Sequence, residues 1–432
     1  MKSVAFCTLG CKVNQYETEA MSALFVQAGY TVVPFDQPSD VYVVNTCTVT
    51  GTGDQKSRQM IRRAHRLNDR AVIAVVGCYA QVAPEEIQKI EGVSVILGTA
   101  ERSKIVEYVQ QAQQTQAQSH VTDSMCHREF EELWVSSYHD KARALVKIEE
   151  GCNEYCSYCI IPYARGPVRS RPLVSICDEV TALAQNGYSE IVLTGIHIAS
   201  YGRDGGGHTL LDVIAAIAGI DGIRRIRLGS LEPRLLTEAF VQAISQIPAV
   251  CPHFHLSLQS GCDATLKRMN RKYTAAQYRD NVALLRRYFD APAITTDIMV
   301  GFPGETEADF TSSVDFLREI AFAEAHVFAY SPRKGTRAAS MPNQVPKAEK
   351  ERRARQMADA ARLCRADYLA SHIGKTAEVF VERETSPGVW EGHTPNYIPV
   401  QIHSSKALRH QYVAVTLDRP TDTGMTGTLA ET

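Results

Sequence analysis

The chain has 432 residues, of which 44% are hydrophobic and 22% are charged, and its 46 Lys and Arg residues nearly balance its 48 Asp and Glu residues. This composition excludes a disordered, collagen-like or disulfide-dominated chain, and the length fits about three domains of ~150 residues. Because the net charge is −2, any nucleic-acid binding must come from local patches. The apolar runs are too short to cross a bilayer and the N-terminus lacks the apolar stretch of a signal peptide, so we expect a cytoplasmic protein without a membrane anchor.

Residues 1–110 alternate short apolar runs with helical stretches, and we interpret them as one domain. The predicted strands are residues 4–8, 40–45 and 71–76, and the predicted helices are residues 17–27 and 54–67. Strands that alternate with helices imply a parallel sheet covered on both faces. Cys11, Cys47 and Cys78 each follow a predicted strand, so such a sheet brings all three to the edge where ligands collect.

Residues 111–140 are predicted to be a solvated linker, because six of the nine residues from Gln110 to Gln118 are Gln. Residues 141–365 then repeat a strand–helix rhythm. The predicted strands are residues 144–148, 190–194, 225–229, 253–258, 294–299 and 325–329. Six such units imply an open, partial (β/α)6 barrel with its chemistry at the C-terminal ends of the strands. One helix is predicted to begin near Ser175, where Ser175 and Asp178 can form a capping box.

Residues 372–432 change in character and are predicted to form a small all-β barrel. The predicted strands are residues 376–382, 397–403 and 412–417, which Gly, Pro, Ser and Thr separate. Before them, the charged residues 347–355 are predicted to be helical. The fold class expected for the whole chain is therefore α/β, with a parallel α/β domain, a partial barrel and a terminal β-barrel in that order.

Twelve cysteines are many for a protein of a reducing compartment, where disulfides are not expected. The strongest motif is the C-x3-C-x2-C triplet Cys152, Cys156 and Cys159, which directly follows the first barrel strand. Three thiolates on one loop can hold three irons of a cubane cluster and leave the fourth iron open to a small molecule. The alternative is a zinc site, which needs a fourth ligand such as His197 or Cys177.

Cys11, Cys47 and Cys78 are far apart in the sequence but share their placement after strands. Grouped thiolates of this kind can bind a second cluster, and the alternative is that they are buried free cysteines of the core. The other six are expected to ligate nothing: Cys7, Cys126, Cys177, Cys251, Cys262 and Cys364.

The triplet and its barrel resemble the radical S-adenosylmethionine (SAM) superfamily. The resemblance implies a [4Fe-4S] cluster held by the triplet, and one-electron reduction of SAM to methionine and a 5'-deoxyadenosyl radical that abstracts hydrogen. It also implies SAM-binding residues at the strand ends, where glycine permits close approach and arginine neutralises a carboxylate. The residues implied are Tyr158, Arg171, Gly195, Ser230, Glu232, Gln259 and Asp297.

Residues 8–17 (TLGCKVNQYE), 45–50 (NTCTVT) and 77–81 (GCYAQ) resemble the N-terminal domain of the methylthiotransferase family. The resemblance implies a second [4Fe-4S] cluster on Cys11, Cys47 and Cys78 that supplies sulfur, and a methylthio product at a carbon that had borne hydrogen. One SAM then supplies the methyl group and a second is cleaved reductively. A reductant such as flavodoxin or ferredoxin is implied as partner.

Residues 11–17 (CKVNQYE) and 158–166 (YCIIPYARG) resemble the branch of that family that acts on N6-threonylcarbamoyladenosine at tRNA position 37. The implied target is C2 of the adenine in a tRNA anticodon stem-loop. The isopentenyladenosine branch and the branch that modifies a ribosomal-protein aspartate stay open, since no single side chain explains the choice. A non-catalytic zinc protein that binds RNA is the rival from another class.

The terminal module resembles a TRAM domain, an RNA-binding barrel, but it carries five Lys and Arg against seven Asp and Glu. We therefore expect it to recognise an RNA loop by stacking and hydrogen bonds instead, through Trp390, His393, Asn396 and Tyr397. The basic residues are clustered in other parts of the chain, where they either form solvated faces or contact phosphates. The basic clusters are Arg62, Arg63 and Arg66; Lys267, Arg268, Arg271 and Lys272; and Arg333, Lys334 and Arg337.

Overall fold

The computed structural model describes residues 2–49, 51–112, 117–138, 142–205 and 207–430. The N-terminal part is a parallel sheet with the strand order β2-β1-β3-β4-β5-β6. Its strands are β1 Ser3–Thr8, β2 Thr31–Val33, β3 Val41–Thr46, β4 Val72–Gly77, β5 Val93–Ile96 and β6 Gln118–Ser119. Its helices are α1 Lys12–Gln27, α2 Gly51–Leu67, α3 Cys78–Val82, α4 Pro84–Gln88 and α5 Ile105–Gln111.

This sheet confirms the α/β class predicted for the first segment. All six residues of β3 are buried, as expected of a parallel strand that helices cover on both faces. The short strands β2, β5 and β6 were not predicted, because two to four residues carry too little periodicity to separate a strand from a loop. The predicted helix 17–27 begins earlier, at Lys12.

The interpretation of residues 111–140 as a solvated linker is wrong for the residues that the structure describes. β6 pairs with β5 and so extends the N-terminal sheet. Leu133, Val135 and Tyr138 are buried in the core of the central barrel. The segment therefore packs against both of its neighbours, and the predicted domain limits stay predictions.

The central part is an open barrel built from two sheets with the orders β10-β9-β7-β8 and β11-β12-β13. Isolated parallel bridges such as Leu231–Leu256 join the segment that follows β10 to the segment that follows β11. The strands are β7 Ala144–Glu150, β8 Arg169–Ser170, β9 Glu190–Gly195, β10 Arg225–Leu228, β11 His253–His255, β12 Ala293–Val300 and β13 Glu324–Ala329. Only β8 runs antiparallel to its neighbour among these strands as described, so the six predicted parallel strands are present.

Helices alternate with the barrel strands and cover their outer side. They are α6 Ile161–Arg165, α7 Leu173–Gln185, α8 Leu210–Ala218, α9 Glu238–Ser245, α10 Asp263–Arg268, α11 Ala275–Tyr288, α12 Glu307–Ile320 and α13 Lys347–Ala370. The predicted capping box is wrong, because α7 begins at Leu173 after Pro172 and has no side-chain cap. The Ser175 hydroxyl instead donates a hydrogen bond to Glu132 at 2.8 Å.

The C-terminal part is a closed five-stranded barrel with the order β14-β15-β16-β18-β17. Its strands are β14 Thr376–Ser386, β15 Val389–His393, β16 Pro399–His403, β17 Tyr412–Pro420 and β18 Met425–Leu429. The predicted all-β barrel is thus confirmed, with two strands, β15 and β18, added to the three predicted. Arg225 and Arg227 of β10 donate hydrogen bonds to its backbone carbonyls at 2.8–3.0 Å, and these bonds dock it on the central barrel.

Among the described helices, none combines the length and the apolar character that a membrane crossing demands.

Candidate functional site

The three N-terminal cysteines lie together at the carboxyl edge of the parallel sheet. β1, β3 and β4 are neighbours, with Thr46 of β3 opposite Gly77 of β4. Cys11 precedes α1, Cys47 follows β3 and Cys78 begins α3 directly after β4. The strand-end placement predicted from the sequence therefore brings the three to adjacent positions of one edge.

The turn before Cys11 is built around Cys47. Gly10 has φ +100°, and a Cβ added to it would lie 2.7 Å from Cys47 Cβ and 2.9 Å from Cys47 Sγ. Only glycine combines that backbone conformation with so close an approach. The sulfur of Cys47 thus sits directly against the loop that carries Cys11.

The thiols of this trio affect one another's ionisation. Burial raises the pKa of Cys78 to about 12 against the lowering effect of Arg165, and Cys11 and Cys47 raise it further. Burial also raises the pKa of Cys47, with Cys11 adding to the effect. The three sulfurs therefore share one neighbourhood, and binding a metal there would release their protons.

The C-x3-C-x2-C loop runs from the end of β7 to α6. The Cys152 amide donates to the Gly166 carbonyl at 3.0 Å, and the Cys159 amide donates to the Cys156 carbonyl at 3.0 Å. Tyr155 adopts φ +47° between them. A non-glycine residue in this region marks a locally imposed turn. The Cys159 and Cys156 thiols lie close enough to Cys152 to raise its pKa, in addition to burial, which is the largest cause.

The two cysteine trios adjoin each other. Burial raises the pKa of Cys159 to about 12, Cys156 raises it further, and Cys78 of the N-terminal trio contributes as well. The α3 helix, which Cys78 begins, packs on α6, which follows the loop of the second trio. The sheet edge and the first strand end of the barrel are therefore brought face to face.

Each trio has one sulfur that accepts a hydrogen bond from a guanidinium group. Arg165 Nε donates to Cys78 Sγ at 3.1 Å, and Arg271 Nη1 donates to Cys156 Sγ at 3.3 Å. Such donors favour the negatively charged form of sulfur and tune a metal bound to it. Arg165 is fully buried, so its bond to Cys78 is shielded from water.

Arg165 also anchors a buried ion network between the N-terminal part and the barrel. Its guanidinium donates to Asn14 Oδ1 at 2.7 Å, to Glu17 Oε1 at 2.5 Å and to Glu150 Oε1 at 2.8 Å. Lys147 Nζ donates to Glu17 Oε1 at 2.9 Å. Buried charges require partners of this kind, and here the pairing fixes one part of the chain on the other.

Two cavities lie between the N-terminal part, the barrel and the terminal module. One, of about 490 Å³, is lined by Cys11, Thr194, Gly195, Ser230, His255 and Asp297, among others. The other, of about 390 Å³, is lined by Gln15, Arg143, Arg227, Glu382 and His393, among others. They have four lining residues in common, so they form one continuous chamber: Lys12, Leu228, His253 and Tyr397.

The structure brings some of the residues implied for SAM to this chamber. Gly195, Ser230 and Asp297 line it, and Asp297 lies 3.4 Å from His255 Nε2. Gln259 is buried with φ +67°, and its amide donates to the Asp297 carbonyl at 2.9 Å. Their roles toward SAM stay predictions.

Tyr158 lies within the cysteine loop, between Cys156 and Cys159, and Glu232 lies beside the loop. Tyr158 packs edge-on against Phe302, with ring centroids 6.4 Å apart. Glu232 is buried and accepts from Arg234 Nε at 2.8 Å, while Arg234 Nη2 donates to Glu154 of the loop at 2.6 Å. Both side chains therefore support the loop, whatever they do toward a ligand.

Arg171 is not brought to the chamber. It is fully buried, pairs with Glu179, and donates through Nε to Glu132 and to Ser175, each at 3.1 Å. Its Nε and Nη1 atoms are therefore occupied by Glu132, Ser175 and Glu179 of the chain itself. The expectation that it neutralises a ligand carboxylate is replaced by a structural role.

The basic clusters divide into solvated faces and internal contacts. Arg62, Arg63 and Arg66 are exposed on α2. Arg271 is instead bound to Cys156, and Arg333 pairs with Asp54 in the N-terminal part. Only some of the predicted basic residues are thus free to contact phosphates.

The terminal module contributes two of its four predicted reading residues to the chamber. Tyr397 stacks between His253 and His393, with centroid distances of 4.8 and 4.6 Å. Trp390 is buried in the module's core and Asn396 donates to the Tyr368 hydroxyl at 2.9 Å, so neither faces the chamber.

The donor sets fit two sulfur-ligated clusters, since the first trio lies at one edge of the sheet, the second lies on one loop, and each has a guanidinium donor to one of its sulfurs. A mononuclear zinc ion instead requires ligands that converge on one point. Among the described residues, no three His, Cys, Asp or Glu side chains are grouped in that way. The assignment of the six cysteines as cluster ligands stays a prediction.

The remaining cysteines have contacts of other kinds. Burial raises the pKa of Cys7 to about 11, Cys262 Sγ donates to Asp309 at 3.3 Å, and Cys364 packs in the barrel core. The functional residue that sequence reasoning missed is Arg165. It lies within the recognised run 158–166, but its partners come from the other part of the chain.

Two family models match the chain. Residues 3–98 match the model described as Uncharacterized protein family UPF0004, and residues 146–317 match the Radical SAM superfamily. Among solved structures, the radical S-adenosylmethionine methyltransferase TsrM from Kitasatospora setae has a TM-score of 0.57 at 16% identity, and the match covers 78% of this chain and 77% of that one. At this identity the likeness shows the fold alone.

Curated relatives cover nearly the whole chain. The threonylcarbamoyladenosine tRNA methylthiotransferase MtaB of Bacillus subtilis is 41% identical, over 96% of this chain and 93% of its own. MtaB of Aquifex aeolicus is 36% identical, over 94% and 98%. The tRNA-2-methylthio-N(6)-dimethylallyladenosine synthase of Acetivibrio thermocellus is 34% identical, over 96% and 89%. With this identity over nearly full length, the chain belongs to the radical SAM methylthiotransferase family.

Proposed function

We propose that the protein is a tRNA methylthiotransferase that adds a methylthio group to C2 of N6-threonylcarbamoyladenosine at position 37. The observation that carries the proposal is that Cys11 lines the same cavity as Gly195, Ser230 and Asp297. A sulfur-donating site and a SAM site must open onto one space if sulfur is to reach the carbon that loses hydrogen. The names of the relatives at 41% and 36% identity support the choice of nucleoside.

Cys152, Cys156 and Cys159 would hold one [4Fe-4S] cluster with SAM, and Cys11, Cys47 and Cys78 would hold the other. When bound, these groups supply the radical chemistry and the transferred sulfur.

The chain's own residues position that chemistry. Arg165 and Arg271 donate to one sulfur of each trio and so stabilise negative charge there. Tyr397, whose ring is held between His253 and His393, forms part of the wall of the chamber in which an adenine extruded from its stack would lie. The chamber is walled by three parts of the chain, which limits access of water to the reacting base.

The experiment separates the two trios. Anaerobically reconstituted Cys156→Ala is expected to lose SAM cleavage, whereas Cys47→Ala is expected to keep cleavage and lose methylthio formation. Cys126→Ala, at an exposed cysteine outside both trios, is the matched control and should keep both. Methylthio product from both of the first two variants would disprove the assignment.

Mass spectrometry of tRNA digests identifies the nucleoside. We expect 2-methylthio-N6-threonylcarbamoyladenosine after incubation with tRNA that carries the precursor. The second candidate substrate is N6-isopentenyladenosine, which the 34% identical synthase favours. Methylthio product on that nucleoside alone would replace the proposed substrate with it.

The surface that holds tRNA is proposed to include Arg62, Arg63 and Arg66 on the exposed face of α2. Reversing all three to Glu should weaken binding of an anticodon stem-loop and flatten its salt dependence, because each phosphate contact releases counter-ions. Unchanged affinity would remove this surface from the interface. A flavodoxin or ferredoxin as electron donor and a cytoplasmic location complete the proposal.

A further inference from the structure

The chamber contains one cation without a counter-ion among the residues that the structure describes. Lys12 is the first residue of α1 and lines both cavities. Its side chain is exposed to this space, and Arg143 and Arg227 line the same chamber. Its ammonium therefore shares the chamber wall with two other cations and has no carboxylate partner among the described residues, so an anion in the chamber would be bound favourably.

Every carboxylate that lines the chamber already has a partner of its own. Glu382 accepts from Arg143 at 3.1 Å, Glu391 from Arg383 at 2.8 Å and Glu324 lies 2.8 Å from Arg365. Asp297 faces His255.

The three arginines that line the chamber, Arg143, Arg227 and Arg383, are thus all paired with those acids or with other groups. Arg227 pairs with Glu190 at 2.5 Å and donates its remaining N–H groups to the carbonyls of Thr394 and Pro395. His253 has a pKa held well below its ordinary value, first by burial and then by Arg227 and Lys12, so it adds no charge near neutral pH. Lys12 is left as the uncompensated charge of the chamber wall.

We propose that Lys12 binds the carboxylate of the threonyl group on the substrate base. This rests on the proposed function. Lys12 follows Cys11 in the chain, so the cation and the sulfur-site cysteine belong to the same wall of the chamber. The N6 substituent and C2 flank N1 on the same side of an adenine, so a base with C2 toward Cys11 directs its N6 substituent to the neighbourhood of Lys12.

The charge of Lys12 also disfavours N6-isopentenyladenosine as a substrate. An isopentenyl group would bury the Lys12 ammonium against hydrocarbon and leave it without an anion, which costs free energy. A carboxylate would supply the missing charge through a charge-assisted hydrogen bond. Lys12 is therefore proposed as a specificity-determining residue for an acidic side chain on the base.

The test measures binding of anticodon stem-loop RNA to the cluster-loaded protein. Three RNAs are compared, which carry N6-threonylcarbamoyladenosine, its threonine methyl ester or unmodified adenosine at the target position. The wild type should bind the acid about 10-fold or more tightly than the ester, as one charge-assisted hydrogen bond implies. Lys12→Met should bind both with the ester's affinity, and Lys12→Arg should keep the preference. Lys347→Met, at an exposed lysine of α13, is the matched control.

Three results would overturn the proposal. The first is a wild type that binds acid and ester equally, which needs no variant and so is independent of folding. The second is a Lys12→Met protein that keeps the preference. The third is an equal loss for all three RNAs, which would assign Lys12 to a backbone phosphate.

SAM affinity, measured by equilibrium dialysis, should be the same in Lys12→Met and wild type. A weakened SAM affinity with an intact acid-over-ester preference would assign Lys12 to the methionine carboxylate and refute the proposal. Failure of the proposed function is a separate result, namely a wild type that binds the acid-bearing RNA but yields no methylthio product by mass spectrometry.

Discussion

Replacing Arg165 with Met is expected to loosen the N-terminal part from the barrel. The side chain is fully buried and makes five hydrogen bonds, to Cys78, Asn14, Glu17 and Glu150, at 2.5–3.2 Å. Its loss leaves two carboxylates with fewer cations in a region that water does not reach. Removing one partner of a buried ion pair costs about 3–5 kcal/mol, and we expect about 3 kcal/mol because Lys147 and Arg102 remain.

The ionisation of Glu17 also indicates that Arg165 stabilises the folded protein. Burial opposes its charge, but Arg102, Arg165 and Lys147 outweigh burial and lower the pKa to about 2. A folded-state pKa below the ordinary 4.5 means stabilisation that is present above about pH 4.5 and lost as the pH falls toward 2. The Arg165→Met protein should therefore lose less stability on acidification than the wild type.

The assay is urea unfolding of the cluster-free protein, followed by circular dichroism at neutral pH. Several parts of the chain can unfold separately, so the first transition is the one compared. Arg62→Met, at an exposed arginine of α2, is the control and should change the free energy by less than about 0.5 kcal/mol. In a double-mutant cycle, Glu17→Gln combined with Arg165→Met should cost at least about 1 kcal/mol less than the two single changes added.

A change below about 0.5 kcal/mol for Arg165→Met would refute the reasoning, because it would mean that the network is not formed or carries no net stabilisation. Additivity of Glu17→Gln and Arg165→Met would refute the coupling between the two parts even if each variant is destabilised.

Two further predictions follow from single side chains. Gly10→Ala should lower the iron content of the reconstituted protein to about half, since the added Cβ would meet Cys47 Cβ at 2.7 Å. The control is Gly29→Ala, which bears similar backbone strain at φ +84° but has no atom within 4 Å of its added Cβ, and it should keep the full iron content. Equal iron content in both variants would contradict the role of the close approach. Burial opposes ionisation of Glu382, but the hydrogen bond from His393 and the charges of Arg143 and Arg227 together outweigh it and lower the pKa of Glu382. The stabilisation is therefore present above the ordinary carboxyl pKa and lost as the pH falls through the folded value. The melting temperature of Glu382→Gln should therefore fall less than that of the wild type between pH 7 and pH 4, and parallel curves would count against this ion pair.

The six cysteines show how far sequence reasoning reaches. The placement of Cys11, Cys47 and Cys78 at one edge followed from the strand–helix alternation, because parallel strands end on the same side whatever their order. The triplet of Cys152, Cys156 and Cys159 was identified from its spacing alone. Both are properties of local sequence, which is why they could be predicted before any contact was known.

The segment after the N-terminal sheet shows where that reasoning fails. Its Gln-rich start predicted a solvated linker, yet Leu133, Val135 and Tyr138 are buried in the barrel core. Burial of a few scattered apolar residues depends on a surface made by distant parts of the chain, and composition carries no information about that surface.

The sequence by itself determined the α/β class, the order of the three parts, the two cysteine trios and the family. Only the tertiary structure decided which charged residues face one another. Arg171 was expected at a ligand and instead pairs with Glu179, whereas Arg165 and Lys12 gained their roles from the contacts between domains. The reason is that charge pairing acts over a few ångströms of space, between residues as far apart in the chain as Glu17 and Arg165, and no local pattern records which charged residues the fold leaves without a partner.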